Sequence, residues 1–308
     1  MNIPLRYGCN PHQGLARVIQ QGGSSPLRVV NGEASYINIL DALTGCQLVR
    51  ELAAATGKAA AASYKHVSPA GAAVAGPISE AFARSQMLEA PPADPGASAY
   101  VRARGADRVS SFGDAVAVSH PVSVELATIV KKEVSDCIIA PGYEPGALEL
   151  LRAKKRGTYL VLEMDPEYEA PALERRDVFG LTLEQERNSL PIVPELFRSN
   201  DGSNVSDDVV ETLVVATTAL KYTQSNSVCV AWSGQVIGMA AGQQSRIHCT
   251  RLACDKAEKW MLQTHPKVLG LSLPASFGRP ERSNVVDQYI RWEQLSDAER
   301  AAFRSGVG

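Results

Sequence analysis

The chain has 308 residues, of which 45% are hydrophobic, and carries a formal net charge of −2, enough for a sizeable core arranged as two domains or one large one. That near-neutral balance leaves no electrostatic footprint for nucleic acid or an anionic membrane surface, and no run reaches the apolar length of a membrane span. The opening MNIPLRYGCNPHQ lacks a charged segment followed by an apolar one, so no signal peptide is expected and the chain is read as soluble and cytoplasmic.

In chain order, Asn38 to Gly57 predicts a helix: Leu40, Leu43, Leu48 and Leu52 keep to roughly one side, with Asn38 as cap and Gly57 as stop. The stretch AASYKHVSPAG at 61–71 reads as a core strand that delivers Lys65 and His66 to its rim, with Val67-Ser68-Pro69-Ala70-Gly71 as the turn. Neighbours on a strand face opposite ways, so two can serve one site only where the strand gives way to a turn. A lysine cation beside a histidine also disfavours the imidazolium, which suits a ring that accepts a proton. Residues 86 to 98, with Pro91, Pro92 and Pro95, read as a loop.

From Val109 the pattern alternates. Ala115 to Ser119, Asp136 to Ala140 and Thr158 to Met164 read as strands, separated by helices at Val122 to Val134 and Gly146 to Lys155. That order argues for parallel pairing with right-handed crossovers and an α/β fold. Residues 165 to 205, rich in Pro, Glu, Arg, Asn and Asp, read as a long connection. A second unit follows, with a helix at Val209 to Leu220, a hairpin of Val228 to Trp232 and Gln235 to Ala240 turning at Ser233-Gly234, and a helix at Ser245 to Thr264. From Glu293 the chain reads as a charged helix with a loose RSGVG end. The domain division expected is 1–170, a connection at 171–205, and 206–308.

Several short motifs bear chemistry. Gly242-Gln243-Gln244-Ser245-Arg246 joins a strand to a helix, where free N–H groups and the Arg246 guanidinium form a candidate phosphate site. Arg6-Tyr7 is a weaker clamp for an anionic or planar ligand. In Thr223-Gln224-Ser225-Asn226-Ser227, Asn226 offers a donor and an acceptor to an amide. Ser110-Ser111-Phe112-Gly113-Asp114 opens a strand, where Gly113 permits close backbone approach and Phe112 a stacking face; Asp136 can accept from an amine. His248, Cys249 and Cys254 are the one cluster to weigh as a metal site, but they lack a second ligand pair at zinc spacing, so no metal and ordinary reduced thiols are expected. GxGxxG, GxxxxGK[ST] and HxE…PCxxC are all missing, which argues against a dinucleotide fold, a P-loop and a zinc deaminase.

Six segments together resemble one family. LRYGCNPHQ at 5–13, AASYKHVSPAGAAV at 61–74, ARGADRVSSFGD at 103–114, EVSDCIIAPGYE at 133–144, KYTQSNSVC at 221–229 and GQVIGMAAGQQSRIHCTRLACDKA at 234–257 are similar to the transformylase portion of the AICAR formyltransferase/IMP cyclohydrolase family of purine biosynthesis. The resemblance implies two cytidine-deaminase-like α/β subdomains without the deaminase zinc, the second incomplete at its C-terminus, and a homodimer with shared active sites. It implies formyl transfer from 10-formyltetrahydrofolate to the 5-amino group of 5-aminoimidazole-4-carboxamide ribonucleotide (AICAR). His66 would take the proton and Lys65 stabilise the transition state. Arg6, Tyr7, Gly113, Asp136, Asn226 and Arg246 would hold the nucleotide, with Ile247 near the folate. The family's cyclohydrolase domain and its FPFRD and Gly-Ser-x-x-Asp segments have no counterpart here, so the alternative is a non-catalytic remnant that keeps nucleotide binding or dimerisation only.

Overall fold

The computed structural model describes residues 2–20, 25–198 and 205–294, together with 296–298, 300, 301 and 305. Of the charged helix expected from Glu293, the described residues 297, 298, 300 and 301 are helical, while 302–304 and 306–308, with most of the RSGVG end, lie outside the described residues, like 199–204 of the long connection. The first half contains β1 (Asn2–Pro4), β2 (Arg17–Ile19), β3 (Leu27–Asn31), α1 (Tyr36–Thr56), β4 (Ala60–Lys65), β5 (Ser68–Val74), α2 (Glu80–Ser85), α3 (Pro95–Arg104), β6 (Asp114–Val118), α4 (Val124–Lys132) and β7 (Ser135–Ala140). The second contains α5 (Pro145–Arg152), β8 (Leu160–Met164), β9 (Leu173–Val178), β10 (Leu181–Glu186), α6 (Asp207–Lys221), β11 (Val228–Trp232), β12 (Gln235–Ala240), α7 (Arg246–Leu262), α8 (Pro266–Leu269) and α9 (Arg279–Ile290).

One eight-stranded sheet runs in the order β11–β12–β5–β4–β6–β7–β8–β3. Its parallel part is β6, β7 and β8, joined through α4 and α5 as the alternating pattern predicts; every other neighbour pair is antiparallel. Period-two alternation sorts the strand residues onto two faces. Ala60, Ala62, Tyr64, Ala115, Ala117, Cys137, Ile139, Leu160 and Leu162 pack with α1 and α6. Their neighbours Ala61, Val116, Val118, Ile138, Ala140 and Val161 pack with α3, α4 and α5. The result is a three-layer α/β/α arrangement, and it explains why these strands read as unbroken apolar runs: both faces are covered.

Local signals are corrected in three places. The cap of α1 is Ser35, whose side chain accepts from Asn38 N–H while the Asn38 side chain reaches back, so Asn38 completes a capping box from inside the helix. The turn after β4 is only His66-Val67, and the Ser-Pro-Ala-Gly stretch belongs to strand β5. Pro69 is tolerated there because it sits beside a bulge in the β4–β5 ladder, where a missing N–H costs little. The 165–205 connection is not structureless: β9 and β10 pair around Phe179-Gly180, every strand residue is exposed, and the pairing surfaces are too charged to give a strand signal in the sequence.

Residues 228–240 add two strands to the same sheet as the first half, and Tyr64 Oη donates to the Tyr222 carbonyl at 3.2 Å. Among the described residues, no helix is long and apolar enough to cross a membrane.

Helix α3 lies very close to β5. A Cβ added at Gly71 would stand 2.1 Å from the Ala103 carbonyl oxygen and 2.6 Å from Ala106 Cβ. Gly71→Ala is therefore expected to cost roughly 1–3 kcal/mol or more through overpacking, read as a lowered midpoint in urea unfolding with little change in m-value.

Candidate active site

The sheet topology gathers separate motifs at one edge. Antiparallel pairing of Lys65 with Ser68 and of Tyr64 with Ala115 sets the end of β4 beside the starts of β5 and β6. Parallel pairing then sets the start of β7 at the same edge, and antiparallel pairing adds the end of β3, the end of β12 and the start of β11. All the residues singled out in the sequence lie on or next to this rim.

Lys65 and His66 sit at its centre. His66 and Val67 form a two-residue turn with φ of 54° and 61°, a left-handed pair that β-branched valine rarely adopts. The ammonium of Lys65 donates to the Phe112 carbonyl, which leaves two of its three donors for a ligand. Asp41, on α1 and only 4% exposed, accepts from His66 N–H at 3.2 Å and from Val67 N–H. Burial pushes the Asp41 carboxyl above its ordinary range, partly offset by the Val67 and His66 N–H groups.

Gly113 and Asp136 stand next to this turn. Gly113, at φ 75°, faces the Asp136 carboxylate so closely that a Cβ would lie 3.3 Å from Oδ2. Asp136 is itself exposed and pairs with Lys155 at 2.7 Å, so its expected amine partner is already supplied from within the chain. Arg6 and Tyr7 approach from the other side: the Arg6 guanidinium lies 5.6 Å from the Tyr7 ring centroid and donates to Asn38 Oδ1 at 3.3 Å. Asn38 lies less than one helical turn from Asp41.

Asn226, Arg246 and Ile247 form a distinct group at the β11–β12 end, three strand positions from Lys65 and so on the order of 14 Å away. The Asn226 amide is satisfied internally, donating to the Gln243 and Gln244 carbonyls at 3.0 and 3.3 Å and accepting from Arg246 at 3.2 Å. Its visible work is to tie the 241–246 loop. Cys249 strengthens the tie, its buried thiol donating to the Asn226 and Ala240 carbonyls at 3.2 Å each. Ser245 makes no side-chain cap at the start of α7, and Arg246 and Ile247 are exposed.

Beneath the rim lies an ionic core that the motifs did not reveal. The Arg104 guanidinium, 2% exposed, meets Asp114 at 3.0 Å and Glu133 at 3.3 Å. Glu133 also binds Arg108 at 3.0 Å and Arg279 at 2.6 Å. Ser63 donates to Asp114 at 2.6 Å with its Oγ 2.8 Å from the Ser111 hydroxyl, and Arg104 donates to the Ser111 carbonyl at 2.6 Å. This cluster fixes the loop that holds Phe112 and Gly113. No motif signalled it, because Arg104, Asp114 and Glu133 meet only through the tertiary fold. A cavity of about 450 Å³ lies behind the same loop, lined by Val109, Leu252, Trp260, Leu273 and Lys256 among others, and neither Lys65 nor His66 reaches it.

The rim of this α/β sheet thus gathers a lysine-histidine pair, two arginines and an exposed aspartate, side chains able to bind an anion and exchange a proton. The particular family is settled by comparison. Residues 1–256 match the model described as the AICARFT/IMPCHase bienzyme, and the chain belongs to that family. It is 35% identical over 256 residues to the bifunctional purine biosynthesis protein PurH of Chloroflexus aurantiacus, which covers 83% of this chain and 46% of that protein. Against the PurH proteins of Roseobacter denitrificans and Cereibacter sphaeroides the identity is 32% and 31%, each over 89% of this chain and 48% of the relative. The chain thus spans about half the length of the curated relatives it matches.

Burial pushes the Glu133 carboxyl up, but Arg108, Arg104 and Arg279 together outweigh it, and its pKa ends below the ordinary value of 4.5. A carboxyl depressed on folding contributes stability above its unfolded pKa and loses it as pH falls through the folded value. Glu133→Gln should therefore lose stability at pH 7, while its unfolding free energy falls less steeply than the wild type's below about pH 4.5. Urea titrations of both proteins across pH 3 to 7 measure the difference.

Proposed function

We propose that the chain transfers a formyl group from 10-formyltetrahydrofolate to the 5-amino group of AICAR. The observation that supports this best is the Lys65–His66 pair at the centre of a rim that also carries Arg6 and Arg246, in a chain of this family. The amine is a weak nucleophile because its lone pair is delocalised toward the ring carboxamide. As the nitrogen bonds to the formyl carbon, His66 takes its proton. The Lys65 ammonium, anchored on the Phe112 carbonyl, stabilises the oxyanion of the tetrahedral intermediate. Collapse breaks the bond to the folate nitrogen, which takes up the proton held by His66 as it leaves as tetrahydrofolate.

On this reading Arg6, Tyr7, Gly113 and Asp136 hold the nucleotide beside the Lys65–His66 turn, and Arg246 and Asn226 bind its remaining polar groups with Ile247 against the folate. The separation of Asn226 and Arg246 from Lys65 supports a homodimer in which that end of the rim serves the active site of the other subunit. The two-subdomain, cytidine-deaminase-like description belongs to the same proposal, with 1–170 and 206–308 as its halves, as does a cytoplasmic setting.

The test is formyl transfer by the purified 308-residue chain supplied with AICAR and 10-formyltetrahydrofolate. Turnover is expected, falling about 10²-fold or more in His66→Ala with the dissociation constant for AICAR little altered; a His66→Ala protein as fast as wild type would remove the base assignment. Arg246→Ala should chiefly raise that dissociation constant, which calorimetry reads directly. Folded wild-type chain that binds AICAR without turning it over would point instead to a binding protein.

A further inference from the structure

We infer that Asp41 is the positioning residue of the Lys65–His66 turn, holding it in a left-handed geometry it would not otherwise keep. The inference rests on the formyl-transfer reading for its consequence in turnover, and on backbone geometry alone for the hold itself.

A two-residue hairpin turn with both φ values positive is normally built from Asn-Gly or Asp-Gly, because those residues enter the left-handed region at little cost. Here the two residues are His66 and Val67, at φ 54° and 61°. Branching at Cβ makes this a poor place for valine, so some other interaction must over-determine the turn. Asp41 supplies it. In the left-handed pair the N–H groups of His66 and Val67 point the same way, and each meets a different oxygen of the Asp41 carboxylate. Charge-assisted bonds to two adjacent amides fix the turn more firmly than neutral ones do. A carboxylate alone fits, since it accepts at both oxygens, whereas an amide side chain offers one acceptor and turns its NH₂ toward the second N–H.

Fold stability does not account for the acid. Burial raises the Asp41 pKa above 3.8, so the folded chain binds that proton more tightly than the unfolded one. Stability therefore falls as pH rises from 3.8 through the folded pKa, and the ionised carboxylate works against folding at neutral pH. What it supplies is geometry: Lys65 leaves the strand directly before the turn, and His66 is inside it.

The experiment compares the full chain with Asp41→Asn and with Asp41→Asn/Val67→Gly. Glycine takes φ near 61° without strain, so it relieves the turn of its need for the carboxylate. Amide exchange of His66 and Val67 is expected to rise at least about tenfold in Asp41→Asn, with protection along β7 unchanged. The kcat should fall roughly 10- to 100-fold, as expected for a catalytic group displaced by an ångström or so, with KM for AICAR within about threefold. Adding Val67→Gly should recover most of the loss. Unchanged exchange at His66 and Val67 in Asp41→Asn overturns the hold, whatever the turnover. A double variant no faster than Asp41→Asn overturns the strain argument. If the wild type turns nothing over while Asp41→Asn still loses amide protection, the hold stands and the formyl-transfer reading fails. Should Asp41→Asn not fold, Asp41→Glu keeps the charge and moves it by one methylene; an unaltered kcat there overturns the positioning role.

Discussion

The buried Arg104 guanidinium is the interaction on which the rim depends. Asp114 is fully buried and Glu133 nearly so, and a charge in that setting is tolerated only when paired and hydrogen-bonded. Arg104 meets both carboxylates and also the Ser111 and Val134 carbonyls. These partners belong to the 105–113 loop, to β6 and to the segment leading into β7, and Arg104 itself ends α3. One side chain thus fixes the spacing of four elements that end at the same edge. Removing it would leave Asp114 as an uncompensated buried carboxylate, a loss of about 3–5 kcal/mol for a broken buried pair, while Glu133 would keep Arg108 and Arg279. The carbonyl that anchors the Lys65 ammonium and the glycine that faces Asp136 both hang from this lattice.

A second constraint comes from side-chain size. The β4 and β5 strands carry alanine at most inward positions, and α3 lies against them with alanines of its own. Small residues allow the helix to approach, and close approach brings the C-terminal end of α3, where Arg104 sits, under the rim. Gly71 is the limiting contact. The ionic lattice and the alanine packing are therefore one device: the charges could not meet if the helix stood a methyl group further from the sheet.

Much of this was legible in the sequence and some was not, for physical reasons. The strands β6, β7 and β8 announced themselves because each is an apolar run closed by turn residues. The Lys65–His66 pair stood out as two ionisable neighbours at the end of such a run, although the dipeptide alone more often means a surface lysine and a satisfied histidine; the surrounding segments carried the reading. The His66-Val67 turn was hidden, since no local preference puts valine in the left-handed region; the decisive partner, Asp41, lies 25 residues away in sequence. Ser-Pro-Ala-Gly misled for the converse reason, as strong turn residues were absorbed into a strand at a bulge. The β9–β10 hairpin was missed because both its faces bear charges. The internal use of Asn226 and Asp136 could not be read at all, because their partners, Arg246 and Lys155, are set by tertiary structure.

The rim also carries a charge pattern of its own. The chain as a whole is slightly acidic, with 33 carboxylates against 31 lysines and arginines, yet Arg6, Lys65, Lys155 and Arg246 all lie on this one edge. Against these four cations stand Glu33, exposed just after β3, Asp136, paired with Lys155, and Asp41, turned inward onto backbone amides. Among these groups the cations outnumber the outward acids. Arg6 lies against Asn38 near the start of α1, whereas Arg246 opens α7 and is tied to Asn226. The two guanidiniums are thus held by different elements, and on the proposed reading Arg6 serves the nucleotide beside Lys65 and His66 while Arg246 binds its remaining polar groups.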